Sequence, residues 1–234
     1  MGHTGHTATA RSKTEQIPSG QLLLEGELSV PVAATGIVLF AHGSGSSRHS
    51  PRNQFVALTI REAGVGTLLF DLLTPEEETV DISTRHLRFD IGLLAKRLVD
   101  ATTWLKRKAD TTHLRVGYFG ASTGGGAALV AAAELGEEIG AVVSRGGRPD
   151  LAGDALPKVK SPTLLIVGGL DYPVIRMNED AYRQLRCEKE LKIIPGATHL
   201  FEEPGTLEGV AHLSADWFQR KLSSDVVVER ASER

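Results

Sequence analysis

The chain has 234 residues, 41% of them hydrophobic, which is enough to bury one α/β core. Its formal charge of −3 gives no basis for binding nucleic acid or an acidic membrane surface. Cys187 is the single cysteine, which excludes a disulfide within the chain and favours a reducing compartment.

Residues 1–12 are rich in Gly, His, Thr and Ala and lack the apolar run of a secretory signal. No later stretch approaches the about twenty apolar residues of a membrane span. The default expectation is a cytoplasmic protein with a disordered tail over 1–13, one domain over 14–222 and a C-terminal tail over 223–234. Residues 15–17 and 22–28, separated by Pro18-Ser19-Gly20, read as an opening hairpin at a sheet edge. Residues 36–41 form an apolar strand that runs into His42-Gly43-Ser44-Gly45-Ser46-Ser47. An amphipathic helix over 51–63 starts at Pro51, a residue suited to a first helical turn. A strand over 65–70 ends at Asp71, and Pro75-Glu76-Glu77-Glu78 reads as a charged excursion. A long helix over about 88–108 keeps Ile91, Leu94, Leu98 and Leu105 at helical spacing.

The strand over 115–119 leads into Gly120-Ala121-Ser122-Thr123-Gly124 and then an Ala/Gly-rich helix. Further strands are expected over 140–144, 163–167 and 191–194, with a final helix over 207–222. Alternating βα units of this kind build a mostly parallel sheet with helices on both faces. Too little chain lies between Ser144 and Pro162 for a large lid, so a shallow, open pocket built from loops is expected.

Gly120–Gly124 reads G-x-S-x-G at a strand-to-helix junction, where a serine is held on a sharp turn above the sheet edge. Asp171 follows the strand over 163–167, and His199 follows the strand over 191–194. Three loops at one sheet edge thus carry a hydroxyl, a carboxylate and an imidazole in the order Ser, acid, His. A serine hydroxyl is a poor nucleophile without a neighbouring base. Histidine can take that proton and return it to the leaving group, and aspartate fixes the tautomer and steadies the imidazolium. Taken singly, the three residues also fit a helix-capping serine, a turn aspartate and a surface histidine.

Acyl transfer also needs donors for the developing oxyanion. The amide after the nucleophile, Thr123, is one, and the loop after the strand over 36–41 supplies the other through Ser44, with Gly43 next in line. A flexible glycine-rich turn is the alternative for that loop. A phosphate-binding reading fails because neither glycine-rich segment ends in Lys-Ser/Thr or completes G-x-G-x-x-G before a helix.

With strand, elbow, acid and histidine in place, residues 14–222 resemble the α/β-hydrolase superfamily, and within it the small, nearly cap-less dienelactone-hydrolase-like group. The resemblance implies Ser122 as nucleophile, Asp171 as acid, His199 as base and the Ser44 and Thr123 amides as oxyanion hole, with no cofactor or metal. Classical dienelactone hydrolases use cysteine where this elbow carries Ser122, which points to a more general esterase. The expected activity is a serine hydrolase acting on small carboxylic esters or lactones through an acyl-enzyme. The alternatives are an acyltransferase or perhydrolase on the same triad and a non-catalytic domain of the same fold.

Arg48, Arg52, Arg145 and Arg148 fall in loops expected to rim the pocket. Arg145 is the candidate to pair with an anionic substrate group, against a salt bridge with Asp150 or Asp154 or plain surface solvation. Asp71 precedes the nucleophile and fits the acid role less well than Asp171. His42 reads as a hydrogen-bonded structural residue, and His42, His49 and His86 lack zinc-ligand spacing.

Overall fold

The computed structural model describes residues 12–223. Most of each expected tail, 1–11 and 224–234, lies outside the described residues, while Ser12 and Lys13 already belong to the first strand. β1 (Ser12–Ser19) and β2 (Leu22–Ser29) form the opening hairpin, with Ser12 opposite Ser29 and Ser19 opposite Leu22. β3 (Gly36–Ala41), β4 (Gly66–Phe70), β5 (Arg115–Ala121), β6 (Ile139–Arg145), β7 (Thr163–Gly168) and β8 (Lys189–Ile194) complete an eight-stranded sheet. Its order is β1-β2-β4-β3-β5-β6-β7-β8, antiparallel through the β2–β4 pairing and parallel from β4 to β8.

The helices are α1 (Pro51–Glu62), α2 (Pro75–Thr84), α3 (Ile91–Arg107), α4 (Thr123–Leu135), α5 (Tyr172–Gln184) and α6 (Thr206–Leu222). α3, α4 and α5 cover one face of the sheet, packing on Leu39, Tyr118, Val142 and Leu165. α1 and α6 cover the other, packing on Phe40, Phe119, Val143 and Ile166. Adjacent strand residues point to opposite faces, so continuous apolar runs fill both cores. Each fully buried side chain of this kind contributes about 1.5–3 kcal/mol.

The same alternation sends Ser144 toward α4 and its neighbour Arg145 toward α1 and α6. The chain leaves β3 toward β4 and leaves the adjacent β5 toward β6, so these two neighbouring strands connect in opposite directions and open a crevice at their carboxyl ends.

Two elements differ from the sequence reading. The acidic excursion is helix α2: Thr74 Oγ1 accepts the Glu77 N–H, while the Glu77 carboxylate accepts the Thr74 N–H. This capping box and the acidic first turn stabilise the helix start. α3 starts at Ile91, because a 3-10 turn (Leu87–Phe89) precedes it and Asp90 accepts the Leu93 N–H as its cap. The β6–β7 connection holds only a 3-10 segment, Pro149–Lys158, so no cap domain is inserted there. Among the described residues no helix is long and apolar enough to cross a membrane.

Candidate active site

Ser122 links β5 to α4 with φ 51° and ψ −122°. Such a conformation costs a non-glycine residue about 1–3 kcal/mol, so the surroundings must impose it. Three backbone bonds do: Ser122 N–H donates to the Arg145 carbonyl at 3.2 Å, and its carbonyl accepts Gly125 N–H at 2.9 Å and Arg148 N–H at 3.0 Å. The flanking glycines allow the turn. A Cβ on Gly124 would lie 2.1 Å from the Ala41 carbonyl oxygen, and one on Gly120 would lie 2.5 Å from the Gly124 oxygen.

Asp171 occupies the N-cap position of α5 just beyond β7 without a side-chain capping bond, and His199 lies in the loop after β8. The His199 Nδ1–H donates to Asp171 Oδ2 at 2.6 Å, leaving Nε2 as the acceptor. The Asp171 side chain is nearly buried, whereas the imidazole is 39% exposed and open to a ligand. The two loops are tied by Leu170 N–H donating to the Ala197 carbonyl at 2.9 Å.

Among the described residues no hydrogen bond joins Ser122 Oγ to His199 Nε2, and neither atom bonds elsewhere. Both belong to one backbone platform. Ser122 is bonded to Arg145, and a Cβ on the next residue, Gly146, would sit 3.5 Å from His199 Cε1 and Nδ1. In ligand-free enzymes the serine–histidine bond commonly tightens only when substrate docks.

Glu203 fixes the histidine loop from below and was not singled out in the sequence. It accepts Thr198 Oγ1–H at 2.6 Å and Thr198 N–H at 3.1 Å, and these bonds hold its carboxyl below the usual range. A Glu five residues after a Thr and directly before Pro204-Gly205 is too weak a pattern to have flagged it.

The oxyanion loop is anchored on both flanks. His42 Nε2 accepts Leu72 N–H at 3.0 Å, and Nδ1–H donates to the Gly43 carbonyl at 3.0 Å, so both nitrogens are used. Burial pushes its pKa down and keeps it neutral, as fits a structural residue rather than a base. Arg48 donates its N–H to Asp71 Oδ1 at 2.7 Å and pairs through its guanidinium with Asp71 and Glu25. Asp71 is thereby committed to holding the loop and is not a competing triad acid.

Thr123 heads α4, so its N–H has no intrahelical acceptor. Gly43 lies against Ser122, where a Cβ would fall 3.2 Å from Ser122 Cβ. The Ser44 amide is not free: it donates to Thr123 Oγ1 at 2.9 Å. That bond pins the loop to the elbow and must be exchanged before Ser44 can serve an oxyanion.

A cavity of about 380 Å³ opens beside Gly43, Ser44 and Thr123. Its far wall is α2 and the turn after it, through Glu78, Asp81, Ile82 and Arg88, and Leu72, Leu73 and Leu94 line its apolar side. The expected open, loop-built pocket is therefore partly roofed, and the roof comes from the segment between β4 and α3. The roof is held by Asp81, which accepts the Leu87 N–H at 2.8 Å and pairs with the Arg88 guanidinium.

Of the four candidate arginines, Arg48 is in the loop anchor, Arg52 reaches Glu202 at 3.2 Å, and Arg148 forms a double bond pair with Asp150 at 2.8 and 2.7 Å. Arg145 joins neither Asp150 nor Asp154 and is only 7% exposed, which removes both the salt-bridge and the solvation readings.

The fold and the three converging loops define an α/β-hydrolase. Residues 69–223 match the family model described as dienelactone hydrolase family. A solved structure described as dienelactone hydrolase from Anabaena variabilis is 64% identical, with a TM-score of 0.90 over 91% of this chain and 99% of that one. The chain belongs to the dienelactone hydrolase family. Est1E from Butyrivibrio proteoclasticus shares the fold at 17% identity and a TM-score of 0.74, over 89% of this chain and 98% of that one.

A Mycobacterium tuberculosis protein provisionally named a phosphoribosyl transferase is 58% identical over 208 residues, covering 89% of this chain. The match takes in 46% of that protein, so the chain spans about half the length of the curated relatives it matches.

Proposed function

We propose that the chain is a serine hydrolase that cleaves small carboxylic esters or lactones through an acyl-enzyme. The observation that carries this reading is the His199–Asp171 bond of 2.6 Å beside a serine held at φ 51°. Ser122 Oγ attacks the substrate carbonyl and passes its proton to His199 Nε2. Asp171 holds Nδ1–H and steadies the imidazolium. The Thr123 N–H, with the Ser44 N–H released from Thr123 Oγ1 or the adjoining Gly43 N–H, receives the oxyanion. Collapse expels the alcohol, which takes the proton from Nε2. Water, deprotonated by the same nitrogen, then attacks the acyl-enzyme and releases the acid.

The cavity beside Thr123 and Ser44 lies on the oxyanion side of the serine, and its apolar wall suits a short carbon chain. No phosphoribosyl transfer is proposed, because a nucleophilic serine with a histidine base serves acyl chemistry. The transferase name belongs to relatives that this chain matches over only 46% of their length.

A chromogenic short-chain ester tests the reading by pre-steady-state kinetics. A burst of alcohol product, one per chain, followed by slower turnover is expected. Turnover that survives in Ser122→Ala would remove the proposed mechanism. Products formed with an added alcohol distinguish water from another acyl acceptor: free acid is expected, and a new ester would assign acyl transfer.

A further inference from the structure

The end of the sheet away from Ser122 carries a second cavity, of about 390 Å³. Arg115 opens β5, Ile139 and Gly140 open β6, and Lys160, Ser161 and Pro162 lead into β7. The last turn of α6 completes the wall through Arg220 and Lys221. β5 is 7 residues long, so about 23 Å of extended chain separates Arg115 from Ser122. This cavity is therefore distinct from the one beside Ser44 and Thr123.

Four cations, Arg115, Lys160, Arg220 and Lys221, line it together with a single acid, Glu137. The acids just outside are already engaged: Glu138 by Lys106, Glu188 by Lys221 at 2.6 Å and Asp216 by Arg220 at 3.0 Å. Among the described residues Arg115 and Lys160 form no ion pair. A concavity walled mainly by one sign of charge focuses the potential and concentrates counter-ions.

Three of the cations are held in place. A Cβ on Gly140 would fall 3.5 and 3.6 Å from Arg115 Nε and Nη2, so that guanidinium lies against the start of β6. The Arg220 guanidinium carbon and Lys221 Nζ sit 5.3 and 5.2 Å from the centre of the buried Trp217 ring. Ser161 supplies an independent sign of a ligand. It is 1% exposed and borders the cavity, yet its Oγ has no hydrogen-bond partner among the described residues. Buried hydroxyls are normally bonded, and an unpaired one on a cationic wall keeps a donor for an incoming oxygen.

We propose that this basal pocket is a second ligand site, which binds a small molecule through a phosphomonoester or pyrophosphate group. Arg115 and Lys160 supply the unspent positive charge, and Ser161 Oγ–H donates to a phosphoryl oxygen. A phosphoryl group brings nearly two negative charges and three strong acceptors, which suits several cations and a hydroxyl better than one carboxylate does. The volume leaves room for more than the phosphoryl group itself. The proposal does not depend on which reaction Ser122 performs.

The experiment titrates the full chain with pyrophosphate, glucose 6-phosphate and, as a carboxylate control, succinate, by calorimetry at low ionic strength. Wild type should bind one pyrophosphate per chain, and more tightly than succinate. Arg115→Gln and Lys160→Gln should each weaken binding by about 10-fold or more, as loss of a charge-assisted hydrogen bond does. Ser161→Ala should weaken it by a smaller factor, and Arg145→Met, at the active edge, should leave it unchanged. The pyrophosphate and glucose 6-phosphate arms show which phosphoryl group is preferred. No saturable binding, equal affinity for succinate, or binding lost in Arg145→Met and kept in Arg115→Gln would overturn the proposal.

Thermal denaturation separates lost binding from lost folding. Arg115 and Lys160 are exposed, so their variants should melt near the wild-type temperature without ligand. Pyrophosphate should raise the wild-type Tm and leave that of Arg115→Gln unmoved. An equal rise in both would place the anion elsewhere and end the proposal. Asp225 lies outside the described residues, so Asp225→Asn is the last arm. Binding that appears only in that variant would make the pocket a seat for the chain's own carboxylate, and would equally overturn the proposal.

Discussion

The two sides of Ser122 treat charge in opposite ways. On the oxyanion side three arginines have acids: Arg48 has Asp71 and Glu25, Arg88 has Asp81, and Arg97 has Glu77 at 2.7 Å. The Arg48 pairs fasten the loop over 42–50 to the sheet, Arg97 ties the roof α2 to α3, and Arg88 ties the turn after α2 back to it. On the histidine side Asp171 is used by His199, Glu203 by Thr198, and Arg145 has no counter-charge among the described residues. Paired charges hold the scaffold on the first side, whereas the carboxylates of the second orient the imidazole and its loop. The contrast separates residues that shape the site from residues that set its histidine.

The largest break falls between the sides, at the proposed nucleophile Ser122. Ser122→Ala should lower ester turnover by about 10⁴-fold or more while circular dichroism and Tm stay at wild-type values. His199→Ala should be comparably severe. Asp171→Asn should cost somewhat less, on the order of 10³–10⁴ in kcat, because the serine and histidine survive with a misoriented imidazole.

The oxyanion side should break by losing stability. Arg48→Ala leaves Asp71 facing no cation, with both side chains under 20% exposed, at 18% and 16%. A loss of about 1–3 kcal/mol is expected, read as a drop of roughly 2–12 °C in Tm. An unchanged Tm would show that the loop is held by His42 alone.

How much of this was legible in the sequence follows from the range of each interaction. The elbow was readable because Gly120, Ser122 and Gly124 act through neighbours a few residues away. The strand-end positions of Asp171 and His199 were readable because apolar runs mark strands. α2 was missed because its acidic run looked like a loop, although Thr74 and Glu77 carried the capping signal. The isolation of Arg145 and the engagement of the Ser44 amide by Thr123 Oγ1 were not legible at all, since both depend on which distant segments meet.

Two smaller changes sharpen the comparison. Ser122→Gly should be more stable than Ser122→Ala by about 1–2 kcal/mol, since glycine accepts φ 51° without strain. Equal denaturation midpoints for the two variants would mean the turn is unstrained. Glu203→Gln tests the histidine side by pH. The Glu203 carboxyl is held below its ordinary 4.5 by Thr198, so its contribution is present above that value and is lost as pH falls through the lowered folded pKa. Wild type should therefore lose stability in that acid window more steeply than Glu203→Gln in urea titrations, and parallel curves would contradict the clamp.

The most direct measurement is covalent trapping by a fluorophosphonate followed by peptide mapping. One adduct per chain on Ser122 is expected, absent in Ser122→Ala and strongly slowed in His199→Ala. A chain that turns over esters but carries the label on another residue, or none, would contradict the assignment of Ser122 as the nucleophile.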